Sequence, residues 1–173
     1  MFVPRDNNAA ERQAPPPNRL DADNLMMSFG EAVSVLMRSP AYKHQRLADL
    51  EWLLLPPLVH NQIVIASATR KDRRFTIPVG LVLWARLSDE ADQHLRQNIG
   101  RQPVPLHPRE WKSGEKLWII EALGDPSVVP RMLRQTQETA FNGAAFTLRM
   151  VGADGTVTMR EVAVLKEDAA AGG

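Results

Sequence analysis

The sequence predicts an α+β fold with about five strands in one mostly antiparallel sheet and helices packed on it. Three observations carry that reading. β-branched and apolar runs recur as QIVIASAT (62–69), IPVGLVLWARL (77–87) and KLWIIEAL (116–123), each bounded by turn residues. Stretches with helical spacing alternate with them. A Gly-Ala-Asp-Gly turn separates AAFTLRMV from TVTMREVAVL, and Asp-Gly between apolar runs is a strong hairpin signal.

Ser28-Phe29-Gly30-Glu31 reads as a capping box, in which the serine accepts from the N3 amide while the glutamate reaches back. Val33, Leu36 and Met37 then share one face of the first helix, which stops before Pro40 because the residue preceding proline avoids the helical region. Gln45 to Leu54 forms a second helix with Leu47, Leu50 and Leu54 in register, ended by Pro56-Pro57. SPAYKH (39–44) is thereby a helix–helix connection. The runs 62–69 and 77–87 pair as a hairpin across the charged turn RKDRR. Ser88 to about Asn98 opens on a cap residue with acids in its first turn and reads as an exposed helix. After a Pro-rich loop and the strand 116–123, VVPRMLRQTQETAF is helical, with Pro130 admitted in its first turn. The final hairpin completes the order α, α, β, β, α, β, α, β, β.

With 21 basic and 20 acidic side chains the formal charge is +1, so no global field marks a nucleic-acid or membrane-surface protein. Zero cysteines exclude thiolate nucleophiles and thiolate metal sites. No apolar run reaches the roughly 20 residues of a membrane span, and MFVPRDNNAAERQAPPPNR lacks a secretory apolar region, so a cytoplasmic location is expected. Residues 1–20, rich in proline, and 166–173 are expected to be flexible tails around a single domain of residues 21–165.

His44, His60, His94 and His107 stand 16, 34 and 13 residues apart, unlike local metal-ligand pairs, and no metal site is expected. No GxxxxGK[ST] or GxSxG motif occurs. QNIGRQ (97–102) half resembles the pyrophosphate loop of coenzyme A-dependent N-acetyltransferases, but Gln102 stands where the final glycine belongs. Acid–base chemistry remains, with His44 and Glu121 as the leading pair. Glu121 interrupts an apolar strand, and alternation places it with Leu117 and Ile119, opposite Trp118 and Ile120. It either emerges at a strand end or is held inside for a purpose; His44 is either a solvated loop histidine beside Lys43 or a base.

Ser39-Pro40 followed by His44, then LADLEWLLLPPLVHNQ, PVGLVLWARLSDE (78–90) and REWKSGEKLWIIE (109–121), resembles in order and spacing the RTX toxin-activating lysine acyltransferases, over residues 26–165. The resemblance implies a fold similar to the N-acetyltransferase (GNAT-like) superfamily, a homodimer, and transfer of a fatty acyl group from acyl carrier protein to internal lysines of a protoxin. The acyl carrier protein thioester is then a co-substrate, and no cofactor is bound. The family's histidine follows Ser-Pro-x directly, the position of Tyr42, and its aspartate falls at Glu121; ALGD (122–125) replaces the usual APFG.

His44 is therefore expected as general base, with Glu121 fixing its tautomer and stabilising the imidazolium. Tyr42 and Ser39 are expected at the substrate. Trp84 and Trp118, with Trp111, are candidates for an apolar acyl channel, or are plain core aromatics. The acidic carrier protein calls for a basic patch, which Arg70, Lys71, Arg73 and Arg74 would supply, or Arg131 and Arg134. Two alternatives stand beside this reading: a coenzyme A-dependent N-acyltransferase on a small amine, and a non-catalytic member binding protoxin or carrier protein.

Overall fold

The computed structural model describes residues 22–42, 44–69, 76–101, 104–152 and 154–163. The expected tails and the basic turn holding Arg70, Lys71, Arg73 and Arg74 lie outside the described residues. Helices α1 (Ala22–Leu36), α2 (Leu50–Leu53) and α3 (Leu55–Val59) precede strands β1 (Ile63–Thr69) and β2 (Thr76–Leu87). Helix α4 (Asp89–Gln97), β3 (Lys116–Gly124), α5 (Val129–Thr139), β4 (Phe146–Val151) and β5 (Val157–Val162) follow. The fold is α+β, with one five-stranded sheet in the order β1-β2-β3-β4-β5.

Neighbouring strands run antiparallel except β3 and β4, which α5 joins as a parallel pair. Helices α1 to α4 cover one face of the sheet, where Leu54, Leu58, Leu81, Leu83, Trp118 and Ile120 are buried. Helix α5 covers the other, against Val82, Ile119 and Phe146. Each such aliphatic side chain taken fully out of water stabilises the fold by roughly 1.5–3 kcal/mol.

Four local expectations are corrected. Helix α1 begins at Ala22, so Ser28 lies inside the helix rather than capping it. The stripe Leu25, Phe29, Ala32, Leu36 packs on the core, and that burial outweighs a local capping preference. Pro56 and Pro57 do not end the second helix; they occupy the first turn of α3, where a missing N–H costs nothing. Leu50, Leu53 and Leu54 are buried, whereas Leu47 sits in a 3-10 turn (Leu47–Asp49) and is 84% exposed. Helix α4 is capped by Ser88, whose side chain accepts from the Ala91 amide as expected, but it buries Ala91, Asp92 and Leu95 on its inner side.

Two irregularities shape the sheet. In the β1–β2 pairing, Ala66 faces Gly80 and Ser67 faces Pro78, leaving Val79 as an extra residue; a bulge is where a strand tolerates proline. In the β2–β3 pairing, Leu83 faces Glu121 and Trp84 faces Ile119, so Ile120 is extra. The β3–β4 pairing covers Trp118–Thr147 and Ile119–Leu148, and beyond it the two strands part.

Gly124 ends β3 opposite Gly80, with φ 131° and a site where any Cβ would run into the Val79 carbonyl. Gly143 also has positive φ, 77°, but faces open space. Replacing Gly124 by alanine should lower unfolding stability by about 3 kcal/mol or more, and replacing Gly143 by about 1 kcal/mol. Denaturant midpoints at unchanged slope measure both; equal losses would show that the close approach of β2 and β3 is not constraining.

Candidate active site

The bulge at Ile120 decides where Glu121 points. Strict alternation would place it with Leu117 and Ile119, which pack on the α5 face. The extra residue instead sends Glu121 to the other face, with Trp118 and Ile120, toward α1 and the loop after it. A bulge of this kind re-aims a side chain without breaking the strand. Glu121 is 2% exposed, so the carboxyl is held inside.

Its partner comes from β4. Arg149 is itself buried, and its Nη1 donates to Glu121 Oε1 where β3 and β4 separate. Arg149 Nε also lies 3.5 Å from the Ile99 carbonyl, at the limit for a hydrogen bond, while Nη2 has no partner among the described residues. The guanidinium thus occupies the fork of the sheet. Neither charge is tenable there alone, because a buried ion without its counterion costs several kcal/mol.

A third group closes the site. Residues 37–45 are wound by successive bonds from Met37 N to Val33 O, Arg38 N to Val35 O, Ser39 N to Leu36 O, Tyr42 N to Ser39 O and Gln45 N to Tyr42 O. The 3-10 turn Pro40–Tyr42 carries the Tyr42 ring inward to 7% exposure, and its hydroxyl lies beside Glu121 and Arg149. That hydroxyl feels both groups but completes no hydrogen bond of regular geometry. Burial pushes the Tyr42 phenol far above its ordinary range, and the Glu121 carboxyl adds to the rise. Burial likewise pushes Glu121 up, against the opposing pull of Arg149 and Tyr42.

The other expected residues fall as follows. His44 is on the turn after Tyr42, exposed, and among the described residues it joins neither Glu121 nor another side chain. Ser39 and Pro40 line a cleft of about 460 Å³ with Arg38, Val79, Leu123 and Asp125, so the Ser-Pro loop and the end of β3 share one opening. Arg38 Nη2 donates to the Pro78 carbonyl at its edge. Trp118 is buried on the Tyr42 face, donating its indole N–H to Asp92 at 2.8 Å beneath the Arg96 guanidinium. Trp84 lies on the opposite face, edge-on to Phe141 at 5.4 Å, so the sheet separates it from Glu121. Trp111 is buried under β2, its carbonyl accepting from Gln62. Arg131 is exposed on α5. Among the described residues no three His, Asp or Glu side chains converge as metal ligands, and no helix is long and apolar enough to cross a membrane.

Sequence analysis missed Arg149, although a signal for it exists: FTLRMV is interrupted by an arginine as LWIIEAL is by a glutamate, and opposite charges breaking two apolar strands are natural partners.

The model of the RTX toxin acyltransferase family matches residues 22–164. No curated protein matches the chain at a significant level.

Tyr42 is the single tyrosine of the chain, so near-ultraviolet phenolate absorbance reads it alone. A raised folded pKa means that its contribution to stability is complete below the unfolded value of about 10 and is lost as pH rises above it. The folded protein should show no phenolate signal through that range, and the signal should appear together with alkaline unfolding. A phenol titrating near pH 10 in the folded chain would contradict its burial beside Glu121.

Proposed function

The chain belongs to the RTX toxin acyltransferase family, and from that premise we propose that it moves a fatty acyl group from the phosphopantetheine thioester of acyl carrier protein to ε-amines of internal lysines in an RTX-type protoxin. Membership makes it an acyltransferase acting in toxin activation. That proposal is supported above all by one observation: Ser39 and Pro40 share a single cleft with the end of β3, residues 122–124, which directly follows the buried Glu121.

In this reaction the neutral lysine amine attacks the thioester carbonyl carbon. A C–N bond forms, the C–S bond breaks, the amine proton passes to a base, and the departing thiolate recovers a proton. A free lysine with pKa near 10.4 is nucleophilic in only about one copy in two thousand at neutral pH, so a base that takes the proton during attack matters. His44 fills that role in the proposal, standing exposed two residues beyond the inward-facing phenol. Glu121 is engaged by Arg149 and lies beside Tyr42, so it acts by positioning Tyr42 and the loop rather than by holding the imidazole directly. The carrier protein is acidic, and the basic run Arg70, Lys71, Arg73 and Arg74 is proposed as its landing point. No cofactor is required beyond the acyl donor, and a homodimer is proposed on the family's pattern.

A second reading has two observations in its favour. Tyr42 occupies the position where the family pattern has histidine, and Glu121 is already paired, as expected of a member that binds protoxin without acylating it.

Incubating purified protoxin with the chain and long-chain acyl carrier protein, or separately with acetyl coenzyme A, should give an acyl mass shift with the first donor alone. His44→Ala should abolish the shift while leaving the thermal midpoint within about a degree or two, since an exposed loop side chain contributes little packing. Protoxin binding without any mass shift would establish the second reading; a shift with acetyl coenzyme A would identify a different acyltransferase; undiminished activity of His44→Ala would remove that residue from the chemistry.

A further inference from the structure

Buried Tyr42 also borders a separate cleft of about 310 Å³ between the end of α1 and the segment leading into α2. Val33 and Leu36 of α1 and Leu50 of α2 form its walls, and Gln45 is the one polar lining residue among the described residues besides Tyr42, whose hydroxyl is buried. At the rim stand Met37 and Leu47, which are 71% and 84% exposed. Large apolar side chains left this open beside a cleft mark a binding surface, and unbranched methionine adapts to irregular apolar ligands. No charged side chain among the described residues lines it. Two other clefts differ: one carries Arg38 and Asp125, and another, about 660 Å³, carries Asp49, His94, Arg101 and Glu110.

We propose that this cleft seats the hydrocarbon chain of the acyl donor, with Met37 and Leu47 closing over it and its carbonyl end at Gln45, next to the Tyr42 ring. The inference rests on the acyl-transfer reading and adds to it where the chain lies and which residues favour a long chain over a short one. Three features select a hydrocarbon over other occupants. Among the described residues the lining offers no counterion for a phosphate or carboxylate, the volume is at the lower end of small-ligand sites, and Tyr42, which borders the cleft, also stands beside Glu121. A bound chain would cover the exposed rim and leave its polar carbonyl at the single polar end.

The test is direct binding, without carrier protein or acceptor. Titration calorimetry of the full chain with S-tetradecanoyl pantetheine and S-butanoyl pantetheine, below their aggregation limits, should show the longer thioester binding far more tightly, since each buried methylene contributes about fourfold in affinity until the cleft is filled. Leu47→Glu and Met37→Glu change exposed positions and should keep the fold, checked by far-ultraviolet dichroism. Each should weaken tetradecanoyl binding by about tenfold or more and leave butanoyl binding unchanged. Equal affinity for the two thioesters, or variants that bind the long chain as wild type does, would overturn the proposal. So would variants whose effect is to dissociate a dimer in sedimentation, because the cleft would then be covered by a second copy. Length-dependent binding without any acylation of protoxin would sink the transfer reading and leave the cleft assignment standing; acylation with flat binding would do the reverse.

Discussion

The buried pair of Glu121 and Arg149 is the constraint on which the site is built. The two strands that carry them are adjacent and parallel, and they pair only at Trp118–Thr147 and Ile119–Leu148 before parting. An open fork in a sheet exposes unpaired backbone and leaves a wedge of space, and here the Arg149 side chain fills it while Glu121 supplies the countercharge. The bulge at Ile120 is what makes that possible, because without the extra residue Glu121 would face α5 and Arg149 would be left alone. Backbone register, side-chain charge and the position of the α1 loop are therefore settled together.

The same pair shapes what the loop can do. Its run of short-range hydrogen bonds gives neighbouring residues opposite fates: Tyr42 goes into the fork and His44 goes to solvent. A carboxyl already matched by an arginine is a poor direct partner for an imidazole, and a phenol held neutral by burial can donate a hydrogen bond but not act as a base near neutral pH. The division of labour proposed here, with positioning inside and proton acceptance outside, follows from that electrostatic arrangement. Tyr42 links the two halves, since its hydroxyl meets the charged pair and its ring borders the apolar cleft.

Much of this architecture was legible in the residues themselves. Alternation, β-branching and the Asp-Gly turn located all five strands, and Ser88 marked the start of α4, because these signals act over a few residues. The start of α1 was not legible from Ser28, since the decision belongs to Leu25 and Phe29 finding a core many residues away. Pro56-Pro57 misled for a related reason: a proline pair stops one helix and equally well begins the next. At the site, Glu121 stood out as a charge interrupting an apolar strand, but its burial was left open between two readings and its direction was not legible, because one inserted residue reverses every face that follows it. Arg149 needed a further step, the recognition that two charged interruptions in separate strands could answer each other across the fork.

The account turns on Glu121 and Arg149 acting as one unit, and a double-mutant stability cycle tests it most directly. Unfolding free energies would be compared for the wild type, Glu121→Gln, Arg149→Met and the double variant under the same conditions. Each single change leaves a buried polar or charged group without its partner and should cost about 3 kcal/mol, while the double variant should cost little more than one of them, a coupling of about 2–3 kcal/mol. Losses that simply add would contradict the central claim, for they would show that the carboxyl and the guanidinium contribute to the fork independently.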